Sequence, residues 1–282
     1  MSSEGINAVR PAASRWEGRS IPARQLSSPA LFGYLLDLDD DLGGELEVRM
    51  RLSARQHATA RLLDADAGQC DLSSWFAVVG RGPGLLIIDG LLAVDTCIAG
   101  RTTTELLGTG DLLQPPERHD DEMVESETLW RALHPSRLAL LDGEFAERVR
   151  SWPQLLSALF RRAERRSTEL DVLRAISCHP RLEVRLVLLL WHLASRWGRV
   201  EPAGLRLELP LTHRLLGQLV AAERPSISHA LSRLARAGIV TGTAGDWHLH
   251  GSVETHLESL IERTVHLTRE RPSAGTRRRR IA

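Results

Sequence analysis

Lysine is absent from this chain: all 36 cationic residues are arginine. Codon bias explains that more simply than a chemical demand, but any phosphate contact by a formal cation would have to be an arginine contact. There are three cysteines, Cys70, Cys97 and Cys178, with no CxxC pair. A zinc site or an iron–sulfur cluster is therefore unsupported. No apolar run is long enough to span a bilayer; the longest, residues 186–194, contains His192. No signal-type run opens the chain, so a cytoplasmic, membrane-free protein is expected. GxSxG, a phosphate loop and HExxH are all missing, and no paired acids stand at useful spacing, so no enzyme is expected.

What is present is a charge polarity hidden by a net charge of zero. Residues 1–150 hold 15 Arg against 24 Asp and Glu, whereas residues 179–282 hold 16 against 9. An anionic polymer would be drawn to one end and repelled by the other. At 282 residues the chain can hold two modest domains. Residues 1–30, rich in Ser, Pro and Arg, read as a loose leader. From 31 to 150, short apolar runs such as VRMRL, SSWFAVVG, GLLIIDGLLAVDTCIAG and LWRAL argue for an antiparallel β-domain, with turns expected at Asp89-Gly90 and at Gly108-Thr109-Gly110-Asp111.

Ser151 and Gln154, with Pro153 between them, read as a capping box that starts a long helix over 151–178. Leu156, Leu159, Ala163, Arg166, Leu170, Leu173 and Ser177 follow a coiled-coil seam, weakened by Arg166 and Ser177; the same stripe could instead pack inside its own subunit. His179-Pro180 ends that helix, a second amphipathic helix ends at Gly198, and Leu205, Leu207 and Leu209 alternate as a strand.

Residues 211–240, LTHRLLGQLVAAERPSISHALSRLARAGIV, then read as two short helices around a tight turn. Thr212 is a natural N-cap, Leu215, Leu216, Leu219 and Val220 form one stripe, and Ile227, Leu231 and Leu234 form another. Arg224, Ser226, Ser228, His229, Ser232 and Arg233 are left outward, a donor-rich face free of carboxylates. Ile239 and Val240, a turn-rich GTAGD, and Trp247 to Leu249 add a β-hairpin, giving a winged helix-turn-helix.

The stretch RPSISHALSRLARAGIV resembles the recognition helix and following turn of the Crp/Fnr family of bacterial transcription regulators. The likeness extends back over about residues 31–250. It implies an α+β fold: an N-terminal antiparallel β-roll of the cyclic-nucleotide-binding-like kind, a long dimerisation helix and a C-terminal winged helix-turn-helix. The expected domains are the leader 1–30, a β-roll sensor-like domain 31–150, the dimerisation helix 151–178, the DNA-binding domain 179–252, and a C-terminal helix with a basic tail over 253–282.

As a member of that family the chain would bind double-stranded DNA as a homodimer through residues 153–177, with RNA polymerase a further candidate partner. Arg224 matches the family's leading base-reading arginine, and Ser226 and Thr212 match residues that hold phosphates. His229, with Ser228 beside it, stands at a second base-contacting position. His213, Arg214 and Arg233 join the expected phosphate contacts, His213 and Arg233 by helical geometry and charge. Pro225 stands where some members carry a base-reading Glu, so the operator should differ. Glu223 repels phosphate and puts one backbone contact in doubt.

Where relatives clamp cyclic AMP, this chain has Gln114-Pro115-Pro116 and then Glu117, Asp120, Asp121, Glu122, Glu125 and Glu127 against the lone Arg118. Cyclic AMP is not expected to bind, and no cofactor is assigned; the effector is unknown. A haem- or redox-sensing regulator of the same fold is the alternative, with His57, Cys70, Cys97, His119, His134, Cys178 and His179 as donors that show no ligand spacing. A DNA-binding module with no sensor function is a further one. The tail Arg277 to Arg280 reads as a solvated terminus.

Overall fold

A computed structural model describes residues 31–115 and 123–269, with side-chain surroundings as far as residue 261. The leader, the acidic residues Glu117 to Glu122 with Arg118 and His119, and the tail arginines lie outside the described residues.

The first domain begins with β1 (Leu31–Tyr34), α1 (Leu35–Leu38), a 3-10 turn over Asp40–Gly43 and α2 (Val48–His57). Then come β2 (Thr59–Ala65), β3 (Gly68–Cys70), α3 (Ser73–Val79), β4 (Gly84–Ile98), β5 (Arg101–Gly108), β6 (Leu112–Leu113) and β7 (Glu127–Leu141). All these strands pair antiparallel in the order β1-β2-β7-β4-β5, with β3 on β7 and β6 on β4. Two apolar runs read above as strand-like are helices. In α3, Trp75, Phe76 and Val79 are buried at helical spacing, whereas α2 leaves Val48 and Leu52 outside. Short apolar runs do not separate strand from helix by period alone.

The expected turn at Asp89-Gly90 is not a turn. The β4 strand runs straight through it, with register shifts against β7 between Ile87 and Leu92. Gly90 is required there: at φ 109° a Cβ would lie 2.2 Å from the Ser136 hydroxyl oxygen. The chain reverses instead at Ala99 and Gly100, both left-handed, with φ 49° and 75°. The turn over Gly108 to Asp111 is where it was expected, closed by the Asp111 N–H donating to the Gly108 carbonyl at 3.0 Å.

After α4 (Gly143–Arg148), the long helix α5 (Pro153–Cys178) starts with proline in its first turn, but the capping box does not form. Trp152 is the N-cap, which leaves Gln154 one residue early, and its buried Oε1 has no hydrogen-bond partner among the described residues.

The seam of α5 also differs from expectation. Leu155, Ala158 and Leu159 are buried against the first domain's own core. Arg166 turns inward to Glu105, with both hydrogen bonds at 2.8 Å. Burial opposes the Arg166 charge, and the Glu105 bonds outweigh it, holding the guanidinium pKa above its ordinary value. Leu156, Leu159 and Leu173 of the expected stripe also pack within the subunit, as the alternative reading allowed, whereas Leu170 of that stripe is outward together with Phe160 and Ser167.

The second domain comprises α6 (Leu182–Trp197), β8 (Gly198–Glu201), β9 (Gly204–Leu207), α7 (His213–Leu219), α8 (Arg224–Arg236), β10 (Val240–Thr243), β11 (Asp246–Leu249) and α9 (Val253–Arg269). Its sheet runs β10-β11-β9-β8, a four-stranded wing where the sequence indicated a hairpin and one strand. Its core is continuous with the outer face of the first domain: Leu91, Ala93 and Leu106 pack in one cluster with Leu189, Leu193 and Leu216.

Candidate nucleic-acid interface

The turn between α7 and α8 holds the site together. Thr212 caps α7, its hydroxyl accepting from the Leu215 N–H at 3.2 Å, which leaves the hydroxyl proton to donate outward. The turn is too tight for a side chain at Gly217, where a Cβ would lie 2.5 Å from the Ala222 carbonyl oxygen. Ala221 takes a left-handed φ of 54° to reverse the chain. Pro225 then falls in the first turn of α8, where its missing N–H costs nothing. Ile227, Ala230, Leu231 and Leu234 bury one face of that helix, which decides what the other face shows.

The outward face carries Arg224, Ser226, His229, Ser232 and Arg233, all exposed. Not every expected contact residue stands alone. The Ser228 hydroxyl lies 3.2 Å from the Arg224 carbonyl oxygen, to which it donates, and 2.8 Å from His213 Nδ1. That internal link ties α7 to α8. Arg233 is drawn back to Glu183 at the start of α6. Arg214 is exposed and also engaged within the protein. Arg224 forms no ion pair among the described residues, and that makes it the strongest base-reading candidate.

Glu223 precedes the helix without capping it and lies 3.5 Å from Arg101, at the tip of the β4–β5 hairpin. Sequence reasoning missed this contact, because 122 positions separate the two residues. It also missed Asp111, which is 2% exposed. Its carboxylate takes the Gly108 N–H at 2.9 Å and holds Arg196 of α6 at 2.7 Å and Arg165 of α5 at 3.6 Å. His192 of α6 meets Glu169 of α5 at 2.8 Å. These contacts fasten the reader to the β-domain.

Residues 184–250 match the family described as the Crp-like helix-turn-helix domain. This chain carries a Crp-like helix-turn-helix domain. The fold over 68–79% of the chain is shared with solved structures of low identity. One is a mutant of CooA from Carboxydothermus hydrogenoformans, 16% identical, TM-score 0.55, covering 79% of this chain and 94% of that one. Another is FixK2 from Bradyrhizobium japonicum, 14% identical, TM-score 0.54, covering 70% and 96%. A third is CLP from Xanthomonas campestris, described as a c-di-GMP responsive global regulator, 16% identical, TM-score 0.52, covering 68% and 95%. At these identities the likeness establishes the fold. A comparison with curated proteins gives no match.

Among the described residues no three His, Cys, Asp or Glu side chains are grouped to hold a metal ion. Burial pushes the Cys70 thiol up to about 11, so it is neutral and a poor redox nucleophile at physiological pH. Among the described residues no helix is long and apolar enough to cross a membrane.

Proposed function

We propose that this protein is a cytoplasmic, non-enzymatic transcription regulator of the Crp/Fnr type that binds an inverted-repeat operator as a homodimer. The observation that carries this is the recognition helix. Its apolar face is sealed against α6 and α7, and its exposed face presents Arg224, Ser226 and His229 with no carboxylate beyond the N-cap. In a two-fold dimer, two such helices would enter successive major grooves about 34 Å apart.

Arg224 is the bidentate guanine reader in this proposal, and His229 reads the neighbouring base. Thr212, His213, Arg214 and Ser226 set the register on phosphates. Arg233 joins them by exchanging Glu183 for a phosphate. Ser228 acts indirectly, by holding His213 in place. Dimer contact runs through residues 153–177, using the outward stripe of α5. The β-domain is the sensor half. Its effector is not cyclic AMP, and RNA polymerase is a partner of the DNA-bound form.

Selection of bound duplexes from a random library tests the reading, with an inverted repeat expected. Arg224→Ala should then cost about 1–3 kcal/mol at one base pair of each half-site and relax the preference there. If the protein selected no duplex, the reading would fail. If the variant lost affinity equally for every sequence, Arg224 would be a positioning contact.

A further inference from the structure

We infer that the β-domain itself contributes to the DNA-binding surface, through Arg101 acting as a phosphate contact beside the recognition helix. This inference rests on the DNA-binding reading above, and it assigns a residue outside the helix-turn-helix. Three observations carry it.

The first is placement. Ala99 and Gly100 make a two-residue turn with both φ positive, the geometry that matches strand twist and gives a stiff hairpin tip. Arg101 is the first residue after that turn and lies 3.5 Å from Glu223, the residue directly before α8. The hairpin is held there from below, because Leu91, Ala93 and Leu106 share a core with α6 and α7. Arg101 therefore reaches the entry of the recognition helix on a supported element.

The second is charge. Between Thr96 and Thr104 the hairpin has no carboxylate, and Arg101 is its single formal charge. The Glu223 carboxylate would meet a phosphate at the place where the helix N-terminus otherwise attracts one. A neighbouring guanidinium cancels that repulsion and brings further donors to the same spot.

The third is availability. The two side chains are 82% and 78% exposed, so the pair itself is screened and contributes little to stability. A guanidinium held this loosely can pass to a phosphate oxygen when a duplex arrives.

The test uses the full chain and two probes: the duplex that the protein selects from a random library, and a random-sequence duplex of equal length. Fluorescence anisotropy is followed across a salt series for the wild type, Arg101→Ala, Arg101→Lys, Glu223→Gln and the Arg101→Ala/Glu223→Gln double variant. Arg101→Ala should weaken both probes by a similar factor and reduce the salt slope by about 0.9 for each engaged subunit, in the Glu223→Gln background as well. Arg101→Lys should restore most of the slope, since a point charge still meets the phosphate. Wild-type binding with an unchanged slope in Arg101→Ala overturns the inference. So does an affinity loss that vanishes in the Glu223→Gln background, since Arg101 would then only neutralise Glu223. If the wild type binds neither probe, it is the underlying DNA-binding reading that has failed.

Discussion

Asp111 shows how one side chain can join parts of the molecule far apart in sequence. It is almost fully buried, so its charge is sustained by what surrounds it: a backbone N–H from its own turn and two arginines from different helices. Removing the carboxylate would leave the Gly108 N–H buried and unpaired and leave Arg196 with the Thr109 carbonyl as its hydrogen-bond acceptor. Asp111→Ala should lower stability by about 3 kcal/mol, the low end for breaking a buried pair, because Arg165 and Arg196 can turn toward solvent. Chemical denaturation reads this directly. A loss below about 0.5 kcal/mol would mean that the contact only decorates the joint. The expected base and phosphate contacts divide in the same way. Arg224 is outward and without an ion pair among the described residues, whereas Ser228 is half-buried and spent on the fold.

At the scale of the element, α5 does two jobs on two faces. The face with Leu155, Ala158, Leu159 and Arg166 belongs to its own subunit, and the face with Phe160, Ser167 and Leu170 is outward. The expected heptad stripe does not stay on one face: Leu159 and Arg166 turn inward and Leu170 outward, because apolar spacing says which residues share a stripe and not what covers it. The two faces can be separated by mutation. Leu159→Ala should cost about 2–5 kcal/mol of folding stability, since it empties a buried site. Leu170→Glu should leave the fold intact and shift a homodimer toward monomer, measured by sedimentation at constant protein concentration. A stable dimer in Leu170→Glu would move the interface off this stripe.

For the whole molecule, the two domains are packed on each other. One apolar cluster joins β4 and β5 to α6, α7 and α9, and Arg196, His192 and Arg101 add polar contacts around it. A cavity of about 600 Å³ lies among the β4–β5 hairpin, α5 and α7, lined by Thr96, Thr103, Trp130, Leu173 and Gln218. Of the two arginines on its wall, Arg166 is held by Glu105 through two hydrogen bonds, and Arg174 is paired only loosely with the exposed Asp171, so a single loose guanidinium beside the Glu105 carboxylate falls short of the clamp a cyclic phosphate needs. Titration calorimetry with cyclic AMP should therefore show no binding. Micromolar binding would overturn that expectation.

Local chemistry in the sequence was enough to determine the reader. Thr212 as cap, the paired apolar stripes, Pro225 in the first helical turn and the carboxylate-free face of α8 are all short-range features, and each stands in the structure where its spacing put it. The turn at Gly108 to Asp111 and the break at His179 were legible for the same reason. Tertiary structure alone decided the rest. Whether Val48–His57 and Ser73–Val79 are strands or helices, which residues of the α5 stripe are covered, and that Gly90 sits inside a strand all depend on neighbours distant in sequence. So does the meeting of Arg101 with Glu223. A charge pair bridging 122 positions leaves no period or spacing to read, and it exists only because an apolar core holds the hairpin against the recognition helix.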